Sequence, residues 1–174
     1  MTTLASDQAP VADQTALAAG ILEPARLEHA LTDVLEAMFF CPADEVIVNP
    51  APGDWTPPPS TGSHSSCLQF NGPVNGAFGI ACSAALARSL AESFHGETPS
   101  SEEVSAVLLE LSNIVCGNHL SQLDARVVFC LESPRPFRAP EWQEFSASDS
   151  QPNRTRLALR TEEGWIGAWI EIAA

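Results

Sequence analysis

The chain has 174 residues, 45% of them apolar and 17% charged, and its 22 acidic against 8 basic side chains leave a formal charge of −14. That length fits one domain with a core that holds without staples, and the composition is globular. All the basic residues are Arg, with neither Lys nor Tyr anywhere; a surface this acidic repels phosphodiester backbones and anionic lipid, which argues against nucleic acid and membrane as partners. No apolar run approaches the ~18 residues of a membrane span. Residues 1–25 lack the basic start and unbroken apolar stretch of an export signal, so a cytoplasmic location is expected.

Residues 1–24 are small, polar and spiked with Pro and Ala, and read as a flexible N-terminal tail ahead of one domain over 25–174. Leu27, Ala30, Leu31, Val34, Leu35 and Met38 recur at helical spacing, which predicts a helix over 26–40, with Pro24 tolerated at its start and Pro42 beyond its end. A short strand is expected at 45–48, followed by a Pro-rich loop over 50–59. Segments 67–70 and 77–83 alternate as strands, and the Asn71-Gly72 and Asn75-Gly76 pairs between them supply turn chemistry. A helix over 84–94 closes at Gly96. Ser100 and Glu103 form a capping-box pattern at the head of a longer helix that reaches about His119. A strand over 126–131, a Pro/Arg loop over 133–140 and strands over 155–160 and 165–172 complete the chain. The order of elements predicts an α+β domain, an antiparallel sheet with long helices packed on it, and each half opens with an amphipathic helix and runs on into strands.

Five cysteines (Cys41, Cys67, Cys82, Cys116, Cys130) stand singly, and the four histidines show no ligand spacing. Neither a disulfide framework nor a protein-bound metal is expected. The glycines between Gly72 and Gly79 read as turn and strand packing rather than as a phosphate loop, since neither a helix nor a Lys follows them in that pattern. Trp165 and Trp169 share a strand face and read as core aromatics.

The informative segment runs from Ala106 to Gly117. At 100° per residue, Val107, Leu108, Leu111, Ile114 and Val115 fall on one side of the helix, while Ala106, Glu110, Asn113 and Gly117 fall within roughly 60° of one another on the other. The stripe sets a carboxylate and an amide between a methyl and a bare backbone. Asn competes with the helix backbone for hydrogen bonds, and Gly in a helix costs about 0.5–1 kcal/mol relative to Ala. A merely solvated face is better built from Glu, Gln or Arg, so two poor helix formers on one stripe point to a partner that approaches closely. Ser105 lies off the stripe, and Cys116 beside it reads as packing rather than nucleophile.

Glu110, two residues, Asn113, then twenty-two residues and Pro136, with Gly117-Asn118 and the Phe70-x-Gly72-x-Val74-x-Gly76-x-Phe78-x-Ile80 run upstream, resembles the signature of the CheC/CheX/FliY chemotaxis phosphatases. The resemblance covers about residues 26–172 and is greatest to the CheX type. It implies a CheC-like fold with a pseudo-twofold internal repeat, and hydrolysis of the aspartyl phosphate on a CheY-like response regulator in chemotaxis or related two-component signalling. On that likeness Glu110 and Asn113 are the catalytic pair: Asn113 positions a water, and Glu110 pairs with the receiver's active-site Lys. Gly117 and Pro136 join Glu110 in binding the partner. The likeness also implies that Mg²⁺ comes from the receiver, that the chain needs no cofactor of its own, and that it forms a homodimer. The family pattern usually opens with Asp or Ser where this chain has Ala106. The first helix offers Glu28-x-x-Leu31, Asp33-x-x-Glu36 and Glu36-x-x-Phe39, none ending in Asn, so one site per chain is expected. The competing expectation is a non-catalytic binding module that docks on a receiver or a flagellar motor component.

Overall fold

The computed structural model describes residues 13–50, 63–96, 98–137 and 152–173. Within them the chain runs α1 (Gln14–Ile21), α2 (Pro24–Phe39), β1 (Glu45–Val48), β2 (Ser63–Asn71), β3 (Gly76–Ser83), α3 (Ala84–His95), α4 (Ser101–Ser121), β4 (Cys130–Leu131), β5 (Arg135–Pro136), β6 (Arg154–Thr161) and β7 (Gly164–Ile172). The strands form one antiparallel sheet in the order β1-β6-β7-β3-β2-β4, with β5 also paired to β2. The α+β class expected from the sequence is the class observed.

The internal repeat is legible in this order. Exchanging α1-α2-β1-β2-β3 for α3-α4-β4-β6-β7 reverses the strand order onto itself, with the pseudo-axis between β3 and β7. The helices obey the same exchange: α4 lies on β2 and α2 on β6.

Alternation sorts each central strand between two faces. Phe78, Ile80 and Cys82 of β3 and Ile166, Ala168 and Ile170 of β7 meet the helices in the main core, together with Leu31, Leu35, Leu108, Leu111 and Val115. The opposite face carries a small cluster of Cys67, Ala81, Ala158 and Trp169, with Trp165 and Phe137 packed against it. A Cβ on Gly79 would lie 2.5 Å from Trp169 Nε1, and one on Gly76 would lie 2.2 Å from the Glu171 carbonyl oxygen. Those glycines are bare because an indole and a neighbouring strand cover them, which is the packing role read from the sequence.

Several local expectations are corrected. The tail expected through residue 24 ends earlier: α1 is a helix whose Leu17 and Ile21 are buried in the main core. Its N-cap is Asp13, whose carboxylate accepts the Thr15 N–H at 3.0 Å; residues 1–12 lie outside the described residues, as does most of the Pro-rich loop. The strand expected over 126–131 shrinks to Cys130–Leu131. Asp124 accepts the Arg126 N–H at 3.0 Å and pairs with its guanidinium at 2.7 Å, and a Val127 N–H to Asp124 carbonyl bond closes a turn where pairing would have begun. Pro136, expected in a loop, sits in β5 opposite Ser66; an outer strand tolerates a residue with no N–H. The helix before Pro42 ends at Phe39, because Phe40 adopts a left-handed conformation (φ 52°) and caps it.

Candidate functional site

The site is built on α4, which is tied down at both ends. At its head Ser100 accepts the Glu103 N–H at 3.3 Å while the Glu103 carboxylate accepts the Ser100 N–H at 2.7 Å. Hydrogen bonds from the Ser100 backbone N–H and then the Ser100 side chain hold the Glu103 carboxyl below its usual range. At its tail His119 is fully buried, and its Nε2 lies 2.8 Å from the Ile21 carbonyl oxygen, so α4 and α1 are joined through the core. Burial pushes the imidazole below its ordinary value.

Between these anchors Val104, Val107, Leu108, Leu111 and Val115 face the core. The buried arc is wider than the apolar periodicity alone predicts, because Ser112, Cys116 and His119 are buried too, whereas Ile114 is only half-buried. Burial raises the Cys116 thiol well above its ordinary value, so it is packing, as its place beside the stripe suggested. Ser105 is half-buried and spends its hydroxyl on the Ser101 carbonyl at 2.9 Å, off the stripe.

The outward stripe is as expected. Ala106 and Glu110 are exposed, and Asn113 and Gly117 are half-buried. Among the described residues neither the Glu110 carboxylate nor the Asn113 amide has a hydrogen bond or ion pair. Two hydrogen-bonding groups three residues apart on one helix face are thus left uncommitted. A carboxamide donates and accepts at once, so it orients a water without a shifted pKa, and a carboxylate beside it attracts an ammonium.

A Cβ on Gly117 would meet Leu131 Cδ1 at 3.7 Å, an ordinary contact. Among the described residues nothing therefore demands glycine there. Pro136 reaches the same region through the sheet: it pairs with Ser66, and Ser66 Oγ lies 2.7 Å from Ser112 Oγ in the core. The motif elements separated by twenty-two residues converge because Ser112 and Pro136 meet the same strand residue.

Sequence reasoning missed a groove beside the stripe. It encloses about 160 Å³ between the ends of α2 and α3 and the flank of α4, and is walled by Met38, Phe39, Phe94, Ala106, Glu110 and Ile114. Its surface is almost wholly apolar. Phe94 at its rim is 55% exposed, and Phe40, next to the wall residue Phe39, is 87% exposed. The two rings leave apolar surface uncovered beside the groove. The signal was present: Phe39-Phe40 and Phe94 stand at the ends of their amphipathic helices. Ser66 and Ser112 were also missed, because position 112 falls beyond the edge of the apolar arc in the helical projection.

Among the described residues no cluster of His, Cys, Asp and Glu could hold a metal ion, and no helix is long and apolar enough to cross a membrane.

Residues 64–143 match the family model described as chemotaxis phosphatase CheX. No curated protein matches the chain in sequence. Among solved structures, the fold is similar to that of CheX in the CheX-CheY-BeF3-Mg complex from Borrelia burgdorferi, at a TM-score of 0.61 and 19% identity over 88% of this chain and 99% of that one. It is similar to chemotaxis protein CheX from Vibrio vulnificus, at 0.62 and 18% identity over 90% and 98% of the two chains. A CheC-like superfamily protein from Shewanella sp. PV-4 gives 0.61 and 19% identity over 89% and 98%. The matched segment contains Glu110, Asn113, Gly117 and Pro136, and the shared fold extends to both sides of it. The family model covers residues 64–143 only, and these solved structures, each under 25% identical, show that the chain has the CheX/CheC-like fold.

Proposed function

We propose that the chain hydrolyses the aspartyl phosphate of a CheY-like response regulator by placing a water in the receiver's active site. The observation that carries this reading is the uncommitted pair, Glu110 and Asn113, turned outward on a helix clamped at both ends. An acyl phosphate needs little from a second protein. Water attacks phosphorus, the bond from phosphorus to the carboxylate oxygen breaks, and the products are the free Asp carboxylate and inorganic phosphate. Positioning dominates such transfers, and holding water in line is worth several powers of ten. Asn113 holds that water, accepting from it and donating to the phosphoryl group. Glu110 pairs with the receiver's Lys and sets the helix over the pocket. Gly117 lets the helix seat closely, Pro136 shapes the neighbouring edge, and the receiver brings Mg²⁺.

The apolar groove supports docking at this face. Glu110 and Ala106 form part of its wall, so a receiver centred on Glu110 also covers the groove. Family likeness extends the reading to a homodimer acting in the cytoplasm in chemotaxis or a related two-component pathway. A second reading, a domain that docks on a receiver or motor component without hydrolysis, draws on Ala106, which offers no polar group where the family pattern usually has Asp or Ser.

The decisive assay is the decay of a phosphorylated receiver, measured against receiver concentration, for the unmutated chain and for Asn113→Ala and Glu110→Ala. Asn113→Ala should lower the saturated rate by about 10²–10³, the scale for deleting one preorganised polar group, and leave binding in place. Glu110→Ala should weaken binding and slow turnover together. Normal turnover by Asn113→Ala at saturation would refute water positioning by this residue. Absence of turnover in the unmutated chain, with binding retained, would make the docking module the better reading.

A further inference from the structure

We infer that Ser112 and Ser66 are positioning residues: their buried hydroxyl pair fixes the seat of α4 on the sheet and thereby the aim of Asn113. The inference rests on the phosphatase reading above. Both side chains are essentially inaccessible, and their oxygens are 2.7 Å apart. Ser112 Oγ also lies 2.8 Å from the Leu109 carbonyl oxygen, which can only accept. The single Ser112 proton therefore goes to Leu109, and Ser66 must donate to Ser112. The hydroxyls form a directed chain from β2 to Ser112 and on to the backbone of α4.

Its end point is informative. In an α-helix the N–H of residue i points at the carbonyl of residue i−4, so the Leu109 carbonyl also receives the Asn113 N–H. The hydroxyl chain thus terminates on the carbonyl that accepts the backbone N–H of Asn113, the residue that bears the proposed catalytic amide. On the strand side, Ser66 pairs with Ile80 of β3 and with Pro136 of β5. One donor links the helix, the central sheet and the outer strand that bears Pro136.

Chemistry explains why a polar pair stands where Ala would fit. Apart from Cys116 and the His119 anchor to α1, the other buried residues of α4 are Leu and Val, and such packing tolerates small sliding and rotation. A hydrogen bond between buried hydroxyls tolerates neither, because a departure leaves two polar atoms unpaired in an apolar medium. Ser is also a mediocre helix former, so the position is kept for something other than helix stability. A water-positioning amide needs that constraint: a misplacement of 1 Å costs about 10²-fold in rate.

The test compares Ser112→Ala, Ser66→Ala and the double variant in two measurements. In the first, dephosphorylation is followed against receiver concentration well below each variant's melting temperature. Each single variant should lose about tenfold in kcat with KM within about twofold, and the double variant should lose no more than a single one, since either change breaks the same link. Unchanged kcat in all three, with only the melting temperature lowered, would overturn the inference and leave an ordinary core bond. Losses that multiply in the double variant would also overturn it. In the second, the backbone amide resonances of Glu110 to Gly117 are followed by NMR with no receiver present. Ser66→Ala, a change on the strand, should shift them, and their remaining in place would overturn the inference. If the unmutated chain has no turnover, the phosphatase reading fails in the first measurement while the second still judges whether Ser66 controls the helix.

Discussion

Gly117 offers a sharp test because the structure makes folding and function respond in opposite directions. The residue lies inside a 21-residue helix with ordinary helical backbone, where Gly costs about 0.5–1 kcal/mol relative to Ala. Among the described residues an added Cβ meets only Leu131 Cδ1, at 3.7 Å, which is van der Waals contact rather than overlap. Gly117→Ala should therefore stabilise the protein by about 0.5–1 kcal/mol. For a chain of this size each kcal/mol moves the melting temperature by about 2–4 °C, so a rise of about 1–4 °C is expected in calorimetry or circular dichroism. The same methyl projects from the stripe that carries Asn113 and keeps a seated partner at a greater distance. Receiver affinity should fall several-fold, read as a higher KM in the dephosphorylation assay. A lower melting temperature would mean that glycine is required by the fold. A higher one with unchanged KM would remove this part of the stripe from the interface.

The groove and the buried imidazole yield two further expectations. Phe94→Ala removes a rim aromatic that is 55% exposed, so stability should change little while KM rises and kcat stays near normal; an unchanged KM would show that the receiver does not reach the groove. His119 is neutral in the fold, with its value lowered chiefly by desolvation and near both Arg26 and Glu23. The unfolded chain therefore binds more protons than the native one once pH falls below the ordinary imidazole value of 6.5. Stability should be complete above that value and decline as pH drops through it, seen as a falling melting temperature between pH 7 and 5. His119→Gln should flatten that part of the profile, and an unaltered slope would refute the assignment.

What could be read from the sequence, and what could not, follows physical lines. The caps of α3 and α4 were legible because a cap is a local event: Gly96 adopts the left-handed conformation that stops α3, and Ser100 with Glu103 makes both bonds of its box. The outward stripe was legible because helical periodicity fixes which residues share a side. Helix α1 escaped because only Leu17 and Ile21 of its eight residues are buried, too few to raise a periodic signal, although Asp13 was a usable N-cap. Val127 and Val128 have strand-forming side chains, but the Asp124–Arg126 pair imposes a turn just before them, and propensity yields to it. The Ser66–Ser112 bond joins residues 46 positions apart. No local pattern contains it, and only the docking of α4 on β2 brings the two hydroxyls together.

The internal repeat raises the question of a second site, and the answer lies in the residues rather than in the topology. The exchange that maps the sheet onto itself puts α2 on β6 where α4 lies on β2, so the scaffold offers two comparable helix faces. On α2 the exposed residues include Asp33 and Glu36, three apart as Glu110 and Asn113 are, but both are carboxylates. Two negative groups beside a phosphoryl group repel it, and an ionised carboxylate has no proton to donate. Neither Asp33 nor Glu36 can therefore both accept from a water and donate to a phosphate oxygen, as the Asn113 amide can. Asp33→Ala and Glu36→Ala, singly or together, should leave the saturated dephosphorylation rate within about twofold of normal. Both positions are exposed, so stability should shift by no more than about 0.5 kcal/mol. Asp33 also lies 3.1 Å from His29 in an exposed pair, an interaction too solvated to alter that expectation. Loss of most activity in the double variant, with the circular dichroism spectrum and melting temperature preserved, would place a working site on α2 and show that an amide is not what makes a helix of this fold catalytic.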